Sequence, residues 1–208
     1  MISLGHFLGI WKFLFKTDGN PYRNLVLKQG QSDQTRALLA ILPSIASGIA
    51  QGADAIYRKL LIAQFTDYEE RYGCTLVARI NDEKKAALIC VTVSFMLYTF
   101  LIRIAATSPE QISAPLTAAL HFDIYHEKPK AGTGSFLDYM IYQNPNFEDP
   151  KMAPAFKFGN EIAQIMETMD MAFSFMASQQ AILISEITRK ILDGLLPNQT
   201  VRVCHEII

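Results

Sequence analysis

The sequence predicts an all-α fold, a multi-helix bundle with two long helices around a central apolar helix. Half of the 208 residues are hydrophobic and 19% are charged, which supplies a core and is not the composition of a disordered chain. Residues 33–72 and 155–193 carry apolar residues at alternating steps of three and four, the period of a helix with one buried face. Residues 86–102 contain no charge and are predicted to form the central helix.

The N-terminal stretch is predicted to be a helix followed by a linker. Residues 2–16 are apolar and end at the turn sequence DGNP. A polar linker is predicted from there to Gly30. Together, residues 1–30 are interpreted as a docking arm, a segment that attaches the chain to a partner. The arm belongs to a single helical domain over residues 1–208, because a chain of this length is the usual size of one domain.

The first long helix has clear start and stop signals. Ser32 or Asp33 is predicted to cap it, and Gly73 to end it. Pro43 lies within it and is expected to kink or split the helix, because proline removes a backbone donor and clashes with the preceding turn.

Two short segments rich in β-branched residues allow one minor β element in addition to the helices. Residues 74–80 are predicted either as a connector or as a strand, and a strand there would pair with residues 200–208 in a minor two-stranded β element. Asn81 or Asp82 then caps the central helix. Its uncharged part lies at the lower limit for a membrane span, which needs ~20 apolar residues. We interpret it as a core helix because of this marginal length.

The remaining helices follow from capping signals. Ser108 and Gln111 have the spacing of a capping box, which predicts a helix from Ser108 to about Glu127. Ser135 is predicted to begin a short helix. Gly194 is predicted to end the second long helix.

Charge and cysteine content narrow the function. The formal net charge is -1, so no basic field attracts nucleic acid. The three cysteines are widely separated, which suits a reducing cytosol rather than a disulfide framework. The N-terminus has no positive residue before its apolar part and no cleavage site after it, which argues against a signal peptide. We expect a cytoplasmic protein, at the inner face of a membrane if it binds one.

The segment HFDIYHE is the candidate for metal chemistry. His121, Asp123 and His126 are residue types that bind transition metals, and they suggest a metal-dependent hydrolase. Neither a helix nor a strand brings all three to one face. The alternative is a polar helix end beside a loop, since metal-binding helices show spacings such as HExxH.

Two apolar surfaces are candidates for binding. The first predicted helix is apolar all round, so its aromatic residues are expected to contact a protein, a second copy or a membrane. These residues are Phe7, Trp11, Phe13 and Phe15. The second long helix carries a soft stripe that either lines an apolar pocket or packs in the core. The stripe residues are Met166, Met169, Phe173 and Met176.

The leading prediction is a non-catalytic helical protein that binds another protein or itself, with a homo-oligomer expected. The sequence contains no GxSxG elbow, P-loop or GxGxxG motif, and it leaves the identity of any cofactor open. One alternative is a peripheral or integral membrane-associated protein anchored by the N-terminal apolar helix. The other is the metal-dependent enzyme that uses residues 121–126.

Overall fold

The computed structural model of the protein describes residues 19–108, 111–130, 135–141, 152–168 and 170–195. These residues form seven helices and no strand, so the predicted all-α multi-helix bundle is confirmed. The helices are α1 (Pro21–Gln29), α2 (Asp33–Tyr72), α3 (Asp82–Thr107), α4 (Ser113–Tyr125), α5 (Phe136–Ile141), α6 (Met152–Ile165) and α7 (Met171–Leu195).

The described residues belong to two compact units. Within the described residues, the first unit draws on those up to residue 50, those between 99 and 129 and those from 188 onward, and the second on those between 51 and 98 and between 130 and 187. Helices α2, α3 and α7 contribute residues to both units. The single domain over residues 1–208 stays a prediction beside this division.

Helix α1 lies where a polar linker was predicted, and that prediction was wrong. The Asn20 side chain accepts a hydrogen bond from the backbone N–H of Tyr22, and Pro21 occupies the first helical position. This is a favourable helix start, because proline is preorganised there and loses no needed donor. Val26 is fully buried, and the Tyr22 ring lies 6.2 Å from that of Phe122 in α4. The described part of the predicted docking arm therefore packs within its own unit.

Helix α2 begins and ends as predicted, but Pro43 does not split it. The Ser32 hydroxyl caps it by accepting the N–H of Thr35 at 3.2 Å. Gly73 ends it in the left-handed region, with φ 64°. Buried side chains on both sides of Pro43 hold the two halves in one helix: Leu38, Leu42, Ile45 and Ile49. The irregularity falls later, in a π-helical turn at Tyr57–Leu61.

Residues 74–80 form no strand, so this half of the predicted β element was wrong. Its other half, residues 200–208, lies outside the described residues. The Glu69 carboxylate accepts the backbone N–H groups of Leu76 and, at 2.6 Å, Val77. These donors are therefore unavailable to a neighbouring strand, and Val77–Arg79 closes into a 3-10 turn.

Helix α3 has the expected cap and the expected burial. The Asn81 side chain accepts the N–H of Lys84 at 2.9 Å. Every residue from Val91 to Leu97 is buried. Since 67% of the most apolar stretch of α3 is buried inside the protein, its apolar character is used in the core.

The predicted start of α4 at Ser108 was wrong. Ser108 closes α3, because its backbone N–H donates to the carbonyl of Ile104 at 2.8 Å. Helix α4 begins only at Ser113, without a side-chain cap. The short helix α5 does begin as expected, with the Ser135 hydroxyl accepting the N–H of Leu137.

The second long helix was predicted to be continuous over 155–193, and this was wrong. It is divided into α6 and α7. After α6, Glu167 adopts φ 53°, its N–H donates to the Gln164 carbonyl, and the Thr168 N–H donates to that of Ala163. These two bonds define a Schellman stop. Helix α7 then runs to Leu195, one residue beyond the predicted stop.

Candidate functional site

The predicted metal residues lie at the end of α4 in the first unit. Asp123 is already engaged. One carboxylate oxygen accepts the Arg23 guanidinium at 2.9 Å, and the other accepts the Asn20 amide at 2.8 Å. The ion pair is largely shielded from solvent, with side-chain exposures of 21% for Arg23 and 16% for Asp123. The arrangement holds α1 against α4.

The two histidines occupy different environments. His121 lies near the carbonyl of Glu127, with 3.2 Å between its Nδ1 and that oxygen. Burial lowers the pKa of His121, which favours its neutral form. His126 ends α4 in the left-handed region, with φ 56°. No group of three or more metal-ligating side chains is placed to hold an ion among the described residues. The metal site stays a prediction that this arrangement does not support.

The methionine stripe lies mainly on the buried side of the second unit. Met166 and Phe173 are fully buried, and Met176 is half-buried. Phe173 packs in an aromatic group, with its ring 5.5 Å from Phe65 and 5.1 Å from Tyr68. Met169 lies outside the described residues. The stripe thus contributes to core packing, and its role as a ligand pocket stays a prediction.

The predicted contact residues of the first helix also lie outside the described residues. They are Phe7, Trp11, Phe13 and Phe15.

A buried charged cluster in the second unit was missed at the sequence level. Glu161 in α6 is buried, accepts a hydrogen bond from the Tyr139 hydroxyl and pairs with Lys157 at 2.6 Å. The Lys157 ammonium also lies 5.2 Å from the centre of the Tyr139 ring. Burial and the neighbouring Glu161 raise the pKa of Tyr139 well above its usual value. The available signal was a Lys–Glu pair four residues apart on an otherwise uncharged helix.

This cluster joins α5 to α6 within an aromatic environment. The Phe95 ring lies 5.3 Å from Tyr139 and 5.1 Å from Phe158. Removing either partner of a buried carboxylate that is both paired and hydrogen-bonded is destabilising, because the remaining polar group is left uncompensated. The cluster therefore holds α5 in position against α6 within the second unit.

Charged groups also hold the turn between α6 and α7. Glu167 pairs with Lys84 at 3.0 Å and with Arg79 at 3.3 Å, and the hydrogen bond from Lys84 lowers its pKa. Asp170 accepts the N–H of Ala172 at 2.8 Å, which caps α7. It also accepts the Tyr68 hydroxyl, and that bond lowers the pKa of Asp170.

Helix α7 presents a second apolar surface, opposite to its buried side. We call it the exposed α7 face. Four large apolar side chains on it remain accessible: Met171 (78%), Phe175 (57%), Ile182 (55%) and Leu183 (43%). At 3.6 residues per turn they fall within about 120° of arc. Exposed Gln179 lies within the same arc, and no charged residue occurs from Met171 to Ser185. The sequence predicts a contact surface on this helix but does not separate this second stripe from the buried one.

Comparisons with family models, with curated proteins and with solved structures give no match to this chain. The observations therefore define the class of an all-α helical protein. Within the described residues, the exposed α7 face groups four of the exposed large apolar side chains on one helix, and core packing does not explain it.

Proposed function

We propose that this protein is non-catalytic and acts by binding another protein or a second copy of itself. One observation carries the proposal: α7 keeps four large apolar side chains on a solvent-facing, uncharged surface. Isolated exposed apolar residues are ordinary, but an apolar patch with charged residues beyond its ends is typical of an interaction site. Aromatic and methionine residues such as Phe175 and Met171 are also enriched in interfaces.

The size of the face limits the expected affinity. The exposed fractions of its four side chains add up to more than two whole side chains. At roughly 150–200 Å² for each whole side chain, the face exposes on the order of 400 Å². Stable interfaces bury about 800 Å² on each partner. Contacts confined to this face should therefore be weak and dependent on concentration.

Site-specific photo-crosslinking tests the proposal. The photoreactive amino acid p-benzoylphenylalanine replaces Phe175 in the full chain, and in a control chain it replaces Leu25, an exposed residue of α1. Both proteins are irradiated as purified samples and in extract of the source cells. We expect a crosslinked product, of chain with chain or of chain with another protein, from position 175 and not from position 25. Absence of a product at position 175 under both conditions would contradict the proposal.

Membrane association is a second candidate. Two helices, α2 and α3, are long and apolar enough to cross a membrane by length and composition. The burial of α3 inside the protein favours a core role over a spanning one, whereas only 39% of the most apolar stretch of α2 is buried. Flotation of the full chain with anionic liposomes tests association. Recovery wholly in the aqueous fraction would exclude the peripheral form.

A further inference from the structure

We infer that the partner of the exposed α7 face is a second copy of this chain, with the two α7 helices antiparallel and Gln179 on the two-fold axis. The inference rests on the proposed function and names its partner. Two-fold pairing of identical surfaces is the commonest mode of self-association. It requires a surface that complements itself, and three properties of the exposed α7 face meet this requirement.

The first property is the position of the polar group. Exposed Gln179 lies midway between Phe175 and Leu183 on the face. Its amide carries both donors and an acceptor, so two copies that meet on a two-fold axis can exchange two hydrogen bonds. In another register the amide would be buried against an apolar side chain, which leaves its polar atoms unpaired and is unfavourable. A single polar residue in an apolar helix interface fixes the register in this way.

The same register also matches the apolar side chains. In an antiparallel pair centred at Gln179, Phe175 lies level with Leu183 of the second copy, four positions from the axis in each chain. The two-fold axis repeats this contact on the other side. Large apolar groups therefore flank the central pair of amides and shield it from water.

The second property is charge. Because the segment from Met171 to Ser185 has no charge, pairing over this segment buries no unpaired ion. Exposed Asp170 precedes α7, and exposed Arg189 and Lys190 stand near its end; the Glu167 carboxylate is already paired with Lys84 and Arg79. The antiparallel arrangement brings the acidic start of one helix to the basic end of the other. A parallel arrangement would place like charges together.

The third property is the helix dipole. Antiparallel helices place the positive N-terminal end of one beside the negative C-terminal end of the other. Exposed Glu186 then lies level with Ala172 of the second copy, in the first turn of that helix. An acidic side chain is favourable at this position.

Engineered cysteines test the arrangement in the full chain. The natural cysteines are first replaced by C74S, C90A and C204S, and circular dichroism checks that the helical fold is kept. Q179C is then compared with A172C, which lies on the same face. On the antiparallel axis the two copies of position 179 meet. The two copies of position 172 are separated by 14 helical positions, about 21 Å at 1.5 Å per residue, whereas a disulfide needs Cα atoms within about 7 Å.

Under mild oxidation we expect a disulfide-linked dimer from Q179C and none from A172C. Dimers from both variants would overturn the antiparallel arrangement in favour of a parallel one, and dimers from neither would exclude this self-association. Photo-crosslinking at position 175 needs no cysteine replacement, and its self-product should map to the peptide that contains Leu183. If position 175 instead links only to a different protein, the second copy is the wrong partner while the proposed function stands. If it links to nothing, both fail.

Discussion

Helices α3 and α7 have almost the same length, 26 and 25 residues, and both have an uncharged middle. Their surroundings differ. The middle of α3 is buried on every side, from Val91 to Leu97, whereas α7 buries one face and leaves Phe175 and Ile182 more than half exposed.

The difference shows that hydrophobicity alone does not assign a helix its role. In the middle of α3 the apolar side chains all pack inside the protein. In α7 the residues on the side of Phe173 do the packing, and the opposite side keeps apolar surface beyond what folding requires. Exposed apolar surface of this kind is typical of an interaction site.

The largest effect should come from replacing matched leucines on the two helices. Leu97 in α3 is fully buried, and Leu183 in α7 is 43% exposed. We expect L97A to lower the free energy of unfolding by about 2–5 kcal/mol, because it leaves a cavity. L183A should cost at most about 1 kcal/mol, since solvent already reaches the site. Urea unfolding of both variants measures this, and equal losses would remove the distinction between the helices.

The next effect concerns the buried side of α7. A Cβ atom added to Gly159 in α6 would collide with the Ser178 hydroxyl and with the backbone carbonyl of Ser174. G159A should therefore cost about 1–3 kcal/mol through overpacking. Gly194 has no neighbour within 4 Å of such an atom, so G194A serves as the control and should not destabilise. A neutral G159A would mean that α6 and α7 do not approach this closely in solution.

A smaller loss is expected at the start of α7. D170A removes the cap of the helix and the acceptor for the Tyr68 hydroxyl. We expect the midpoint of thermal unfolding to fall by about 2–4 °C. The pKa of Asp170 is lowered in the fold, so its stabilisation is present above the ordinary value near 4 and is lost as the pH falls through the folded value. The difference between wild type and D170A should thus shrink in acid; a constant difference would contradict this.

The smallest effect on stability at neutral pH is expected from the ionisation of four tyrosines whose pKa values are raised. Burial is the main cause that raises the pKa values of Tyr57, Tyr68, Tyr98 and Tyr139. Below about pH 10 these hydroxyl groups are protonated in both the folded and the unfolded chain, so they contribute fully to stability. Above it the unfolded chain loses protons that the folded chain keeps, so stability falls.

The Y68F variant sharpens this test. It should be less stable than wild type at about pH 8, because the bond to Asp170 is lost. Its stability should fall less steeply between about pH 10 and pH 11, since one titrating group is gone. Urea unfolding across this range measures both slopes, and identical slopes would mean that Tyr68 ionises equally in both states.

The helical class and the first long helix were predictable, because a three-four apolar period survives in the sequence. Other features depend on contacts that no local pattern contains. The stop at Glu167 uses a left-handed residue that is not glycine, and its ion pairs come from Lys84 and Arg79. The apolar stripe continues across this turn, so the period gave no sign of the break.

The candidate sites were less predictable than the fold. The apolar period on α7 predicts one buried stripe, and it does not say whether the opposite side is polar or carries a second apolar surface. The Tyr139–Glu161 contact joins residues 22 positions apart, a distance over which spacing rules carry no information. Helix α1 had a local signal in Asn20 and Pro21, but the polar character of the segment masked it.

Asn20 has a consequence for the order in which the chain folds. Its side-chain Oδ1 accepts the N–H of Tyr22 and so starts α1, while its side-chain Nδ2 donates to the backbone carbonyl of Ala119 and to the carboxylate of Asp123 in α4. A helix of nine residues does not persist alone in water. One side chain thus couples the start of α1 to its docking on α4, 99 residues away in the chain, so α1 is expected to form together with that contact and not before it.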